Sequence, residues 1–223
     1  MLQEKIHTVR SWLKWPVDEK ALGHDYFQIV SFPLQKKHVI YLPAPDSPAG
    51  PPREIEMLHE LIHALLAEQV HHQFSGQYFK RGTPEEHIHA VRWACRAAAD
   101  WFVDARLIKL VPDQEKQEIQ EHFDLISRIF KAGPPQNDVF FLLSSGFIIA
   151  QSIKYLGAEI AAAGHLKRIV NAFLSTSPEN PTVQILEKLI NKLLGIYSGF
   201  RVFLTRDSLT GIEVWGINTS QFK

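Results

Sequence analysis

A single cysteine, Cys95, stands among 223 residues, so the chain can form no internal disulfide and no cysteine-rich zinc site. That count fits a reducing compartment. Charge of one sign is also missing: 24 Lys and Arg balance 24 Asp and Glu, which removes the basic surplus of a dedicated nucleic-acid binder. The longest apolar stretch, Val139 to Ala150, is broken by Ser144, Ser145 and Gly146 and falls well short of the ~20 residues that span a bilayer. The N-terminal MLQEKIHTVR has no hydrophobic signal core. These absences lead to the expectation of a cytoplasmic globular protein with neither nucleic acid nor membrane as partner. A domain of about 100–200 residues is typical, so one domain is expected.

What the chain has in number is histidine, eleven in all. Their value depends on where they fall, and that requires an outline of the elements. The first 22 residues read as a helix with Ile6, Val9, Trp12, Leu13 and Trp15 on one side, interrupted or ended by Pro16. Tyr26–Phe32 and His38–Leu42 are β-branched and aromatic and fit a hairpin. The Pro/Gly-rich run from Pro43 to Pro52 can be neither helix nor central strand.

Apolar residues at spacings of three and four then predict a helix from Arg53 to about His72. A second helix is predicted to start at Thr83-Pro84-Glu85-Glu86, with Thr83 as cap, and to stop near Leu110 before Val111-Pro112. Further helices are expected from Asp113 to Lys131, Asp138 to about Gly157, Ala158 to Ser175 and Thr182 to Tyr197. Two short strands, Arg201–Thr205 and Ile212–Ile217, close the chain. The class is α+β and mostly helical. Residues 1–112 form the candidate core with the N-terminal strands, and residues 113–223 a helical part packed on it within the same domain.

Inside the helix that follows Arg53 lies His59-Glu60-Leu61-Ile62-His63, an HExxH pattern. Residues i and i+4 share a helical face, so both imidazoles can point at one ion. Glu60 sits about 100° around the helix, placed to take a proton from a water on that ion. Leu61 and Ile62 can enter a core. Two buried, hydrogen-bonded histidines without a metal are the competing reading, at the expense of burying three polar groups on an apolar helix.

A catalytic zinc wants a third protein ligand and an open position. The second helix carries Ala97-Ala98-Ala99-Asp100-Trp101-Phe102-Val103-Asp104, with Asp100 and Asp104 on one face among alanines that let another helix approach. Asp100 as ligand and Asp104 as acceptor for a ligating imidazole N–H is a coherent pairing. The reverse order, with Asp104 as ligand, stays open, as does pairing of both with Arg96 and Arg106.

HExxH followed by a second helix with two carboxylates four residues apart resembles the gluzincin group of zinc metallopeptidases. That group reads Glu-x-x-x-Asp where this chain has Asp100-x-x-x-Asp104. The run from Arg96 to Asp104 also resembles bacterial metallopeptidase-like proteins reading Asn-x-Ala-Ala-Asp-Tyr-x-x-Asn, with Arg96 and Asp104 here in place of Asn. The resemblance covers roughly Arg53 to Leu110. It implies a zincin-like core, Zn²⁺ as cofactor, the first Asp as ligand, a peptide or protein substrate, and a short sheet whose edge strand holds that substrate extended.

The remaining histidines carry no local signature. His71-His72 at the end of the motif helix suits the helix dipole, with a ligand role for His71 second to Asp100. His87 and His89 lie turns away from Asp100, and His7, His24, His38, His122 and His165 are isolated. Each of the isolated ones reads first as a surface or hydrogen-bonded residue; they and Tyr78 are candidates to stabilise an oxyanion, among which the sequence does not choose. Cys95 reads as packing. The expected function is a zinc peptidase with Glu60 as general base. The alternatives are a non-catalytic binding or regulatory protein that uses its helical C-terminal half as a partner surface, and a structural metal site with His71 as fourth ligand.

Overall fold

A computed structural model describes residues 1–21, 27–44, 52–132 and 138–219. The fold is α+β and mostly helical: helices α1 (Leu2–Trp12), α2 (Glu54–Gln69), α3 (Glu85–Leu110), α4 (Pro112–Ala132), α5 (Val139–Gln151), α6 (Gly164–Leu174) and α7 (Val183–Tyr197), with strands β1 (Val17–Ala21), β2 (Gln28–Phe32), β3 (Lys37–Leu42), β4 (Phe200–Arg206) and β5 (Glu213–Thr219). The first three strands form one sheet in the order β1-β3-β2, and β4-β5 is a separate antiparallel hairpin.

The expected hairpin is present, with Ile29 opposite Ile40 and Val30 opposite Val39. Tyr26, the expected start of its first strand, lies outside the described residues. Strand β1 is a correction to the helix expected through residue 22. Helix α1 ends at Trp12, and the backbone N–H groups of Lys14 and Trp15 donate to the Glu68 carboxylate instead of continuing it. Pro16 has no N–H to give, but its carbonyl accepts from His38, and Val17–Ala21 runs parallel to β3. The charged strand VDEKA is exposed along most of its length, as suits a sheet edge, and offers no hydrophobic alternation to read.

Other boundaries shift for local reasons. Thr83 does not cap α3, because its hydroxyl donates to the Lys80 carbonyl; Pro84 takes the cap position. Pro112 opens α4, where its missing N–H is harmless, rather than only ending α3. After α5 a single π-helical turn, Ser152–Leu156, runs to Gly157 at φ +70°, and α6 begins only at Gly164, φ +55°. Two left-handed glycines so bracket residues 158–163, which are not helical although expected to be.

The core runs through both parts of the chain. Leu58, Leu61 and Ile62 of α2 meet Ala94, Ala98 and Phe102 of α3, and the cluster continues to Phe173 and Leu189. Trp101 is buried beneath α6, and its indole N–H donates to the Thr176 carbonyl at 2.8 Å. Residues Val139–Leu156 are the one described helical stretch long and apolar enough to cross a membrane by length and composition. Its buried Gln151 is tied to α3 through Asp104.

The C-terminal hairpin clamps the segment after α2. Phe79 bridges to Trp215, and the His72 Nε2–H donates to the Glu213 carbonyl at 2.6 Å. Burial, with the neighbouring His71 adding, lowers the His72 pKa to about 4. The unfolded chain therefore takes up a proton near pH 6.5 that the folded chain refuses until about pH 4, so this contribution to stability is full above pH 6.5 and is lost as pH falls. His72→Gln, which keeps a donor, is expected to flatten the fall in Tm between pH 6.5 and 4 measured by calorimetry. An unchanged slope would show that His72 does not carry it.

Candidate metal centre

Helix α2 presents its motif from inside the fold. Ile55, Leu58, Leu61 and Ile62 are buried, so the helix is fixed in rotation and His59, Glu60 and His63 face one side together. These three offer ligand atoms that all lie within 4.8 Å of one another. Helix α3 crosses α2 where Ala94, Ala98 and Ala99 are buried, and the small side chains allow Asp100 and Asp104 to reach the histidines.

The distances separate the two carboxylates. Asp100 Oδ1 is 3.1 Å from His63 Nε2 and 3.7 Å from His59 Nε2, and the two Nε2 atoms are 3.1 Å apart. A tetrahedral zinc with bonds of about 2.0–2.1 Å requires its ligand atoms to stand about 3.3 Å from one another. The three edges lie on either side of that value. Asp104 Oδ1 instead meets the far nitrogen, His59 Nδ1, at 2.9 Å.

Each imidazole is oriented from behind. A carboxylate only accepts, so His59 Nδ1–H donates to Asp104, whose other oxygen accepts from Gln151 Nε2 at 2.6 Å. His63 Nδ1–H donates to the Phe74 carbonyl in a short bond. Both Nε2 atoms are therefore turned to the shared point. Glu60 Oε2 accepts from the Ile29 N–H of β2 at 2.6 Å, which anchors the carboxylate to the sheet.

The electrostatics favour a cation at that point. Burial works against a charged His59, yet the Asp104 and Asp100 carboxylates outweigh it and hold its pKa well above the ordinary value. Burial pushes Asp100 the other way, and hydrogen bonds from His59 and His63 overcome it, holding its carboxyl well below the usual range. The two shifts are the two sides of one pairing: the carboxylates hold a proton on the imidazole, and a metal ion bound there would take that proton's place. With its N, N, O donor set and its edge lengths, the group fits Zn²⁺.

The chain matches no family model, no curated protein and no solved structure.

The structure brings together all five residues singled out from the sequence: His59, Glu60, His63, Asp100 and Asp104. Of the other described candidates, His122 lines the cavity beside the cluster, whereas His71, Tyr78 and His38 are engaged elsewhere. His71 Nε2 pairs with Glu213 at 3.1 Å, away from the motif, and so is in no position to be a fourth ligand. The Tyr78 hydroxyl donates its proton to the Ser31 carbonyl, which removes it as an oxyanion donor. His38 is fully buried between Glu68 (2.9 Å) and Ser31 (2.7 Å), and His24 lies outside the described residues. Strand β2 is an edge strand, but its outer N–H groups at Ile29 and Ser31 already donate to Glu60 and the Ser75 carbonyl. An extended substrate laid along β2 would find those positions taken.

Sequence reasoning missed Glu115, Gln151 and the Phe74 carbonyl. Glu115 had a signal: it lies four residues before Ile119 and so continues the inward stripe of α4. Gln151 and Phe74 had none, since their roles depend on how separate helices meet.

Protein loaded with zinc and dialysed is expected to hold one ion per chain by elemental analysis, and His59→Ala, His63→Ala and Asp100→Ala to hold none. Asp104→Asn should keep the ion with affinity weaker by about 10–100-fold. Full zinc affinity in Asp100→Ala with loss in Asp104→Asn would reverse the two roles.

Proposed function

We propose that the chain is a zinc-dependent metallopeptidase-like hydrolase built on a zincin-like core, acting on peptide bonds. The observation that carries this reading is the spacing of His59 Nε2, His63 Nε2 and Asp100 Oδ1, three donors at the edges of a zinc tetrahedron with a carboxylate, Glu60, beside them. Three protein ligands leave a fourth position for water, the arrangement of catalytic rather than structural zinc.

Bound there, zinc supplies Lewis-acid polarisation of a carbonyl and lowers the pKa of a water. The protein's residues do the rest. Asp104 and the Phe74 carbonyl hold the two imidazoles in the tautomer with Nε2 toward the site. Ile29 N–H occupies Glu60 Oε2, so Oε1 is the atom that takes a proton from the attacking water. The same oxygen then returns it to the leaving amine nitrogen, leaving Glu60 as it began. The cavity that opens beside the cluster, about 670 Å³, has room for a peptide side chain and the bond that follows it.

Glu60→Gln separates this reading from a metal-binding protein without chemistry. The amide can still accept from Ile29 but cannot take the proton. The variant is expected to hold zinc as the native chain does and to cleave a mixed peptide library at least about 10²-fold more slowly. Native protein that holds zinc and cleaves no peptide would favour the binding or regulatory alternative, and activity that survives Glu60→Gln would remove Glu60 from its role.

A further inference from the structure

The cavity beside the cluster lies between α2, α3, α4 and α5. Leu107, Ile119, Leu143 and Phe147 form apolar walls, and Trp93 with Phe140 makes an aromatic pair at its rim, ring centroids 4.4 Å apart. Among the described residues six carboxyl groups line it, and five are engaged. Asp100 faces the two histidines, Asp104 holds His59 and Gln151, and Glu60 is held by Ile29. Glu56 and Glu118 both pair with Arg53, at 3.0 and 2.8 Å.

The sixth is Glu115. It is 5% exposed and lines the cavity, and its side-chain carboxyl has no hydrogen bond or ion pair among the described residues. A carboxyl buried without a partner is costly. A native chain seldom keeps such a group on an apolar wall where leucine would pack. The basic groups that line the cavity are engaged elsewhere or exposed: Arg53 is committed to Glu56 and Glu118, His59 is held by Asp104, and Arg96 is exposed. His122 also lines the cavity, on the same helix two turns on.

Apolar walls with one unpaired carboxyl among them complement one kind of group, a hydrocarbon stem carrying a positive charge at its tip. We propose that this cavity binds an alkylammonium group with Glu115 as its counter-ion, and so selects peptides that bear a lysine side chain or a free amino terminus. That the selected peptides are also cleaved rests on the hydrolase reading. The binding itself is independent of hydrolysis, and the two can fail separately.

Three short peptides test it by calorimetry on the full-length, zinc-loaded chain: an N-acetylated peptide amide containing lysine, the same peptide with norleucine for lysine, and the norleucine peptide with a free amino terminus. One ammonium-bearing peptide is expected to bind on the order of tenfold more tightly than the acetylated norleucine peptide, and which of the two does so identifies the source of the ammonium. Glu115→Gln, nearly the same in shape, should bring the affinities together, whereas Glu118→Gln should keep them apart. Equal affinities in the native protein, no binding of any peptide, or a preference that survives Glu115→Gln would each overturn the proposal. A binding preference without cleavage would leave it standing and remove the hydrolase reading alone.

Discussion

A polar group inside an apolar helix must find a partner, and three such groups lie within five residues of α2. Everything around the site follows from that constraint. Leu58, Leu61 and Ile62 are buried without residual exposure, so the helix cannot turn to show His59, Glu60 and His63 to solvent. Each is met by a different element. His59 is met by Asp104 on α3, and through it by Gln151 on α5; Glu60 by the backbone of β2; His63 by the carbonyl of Phe74 just past the helix end. Leaving either of the two buried ones, Glu60 or His63, unpaired would cost about 1–3 kcal/mol. The contacts that orient the metal ligands are therefore also the ones that join sheet and helices.

The same economy explains most of the other histidines. His38 links Ser31 to Glu68, whose carboxylate also gathers the two N–H groups that α1 leaves behind. His71 and His72 stack at 4.2 Å and fasten the end of α2 to β5. These are structural uses, and they lie outside the metal cluster. The surplus of histidine in the sequence thus divides into one pair that shares a point with Asp100 and several that satisfy buried neighbours.

The motif residues were legible because their relation is local: helical spacing alone puts His59 beside His63, and Asp100 on one face with Asp104. Which carboxylate faces which nitrogen was not, since it depends on the crossing of α2 and α3. The helices were legible where apolar periodicity ran unbroken, as in α4 and α7. They failed where backbone exceptions decided, at Gly157 and Gly164. Strand β1 was hidden because an exposed edge strand needs no hydrophobic face, and its pairing partner β3 lies beyond another strand in sequence. Gln151 sits 47 residues from the carboxylate it holds, a separation across which no spacing rule operates.

The site makes two separate demands for positive charge. Around the histidines, Asp100 and Asp104 favour a cation at a fixed point. In the cavity beside them, the Glu115 carboxyl has no hydrogen bond or ion pair among the described residues. The metal account stands on the first of these and is tested most directly by a crystal structure of the zinc-loaded chain with anomalous diffraction at the zinc edge. It predicts one ion with His59 Nε2, His63 Nε2 and Asp100 Oδ1 at about 2.0–2.2 Å and a water in the fourth place, Asp104 remaining on His59 Nδ1. An ion bound through Asp104 or Glu60, or no ion at this point, would contradict it.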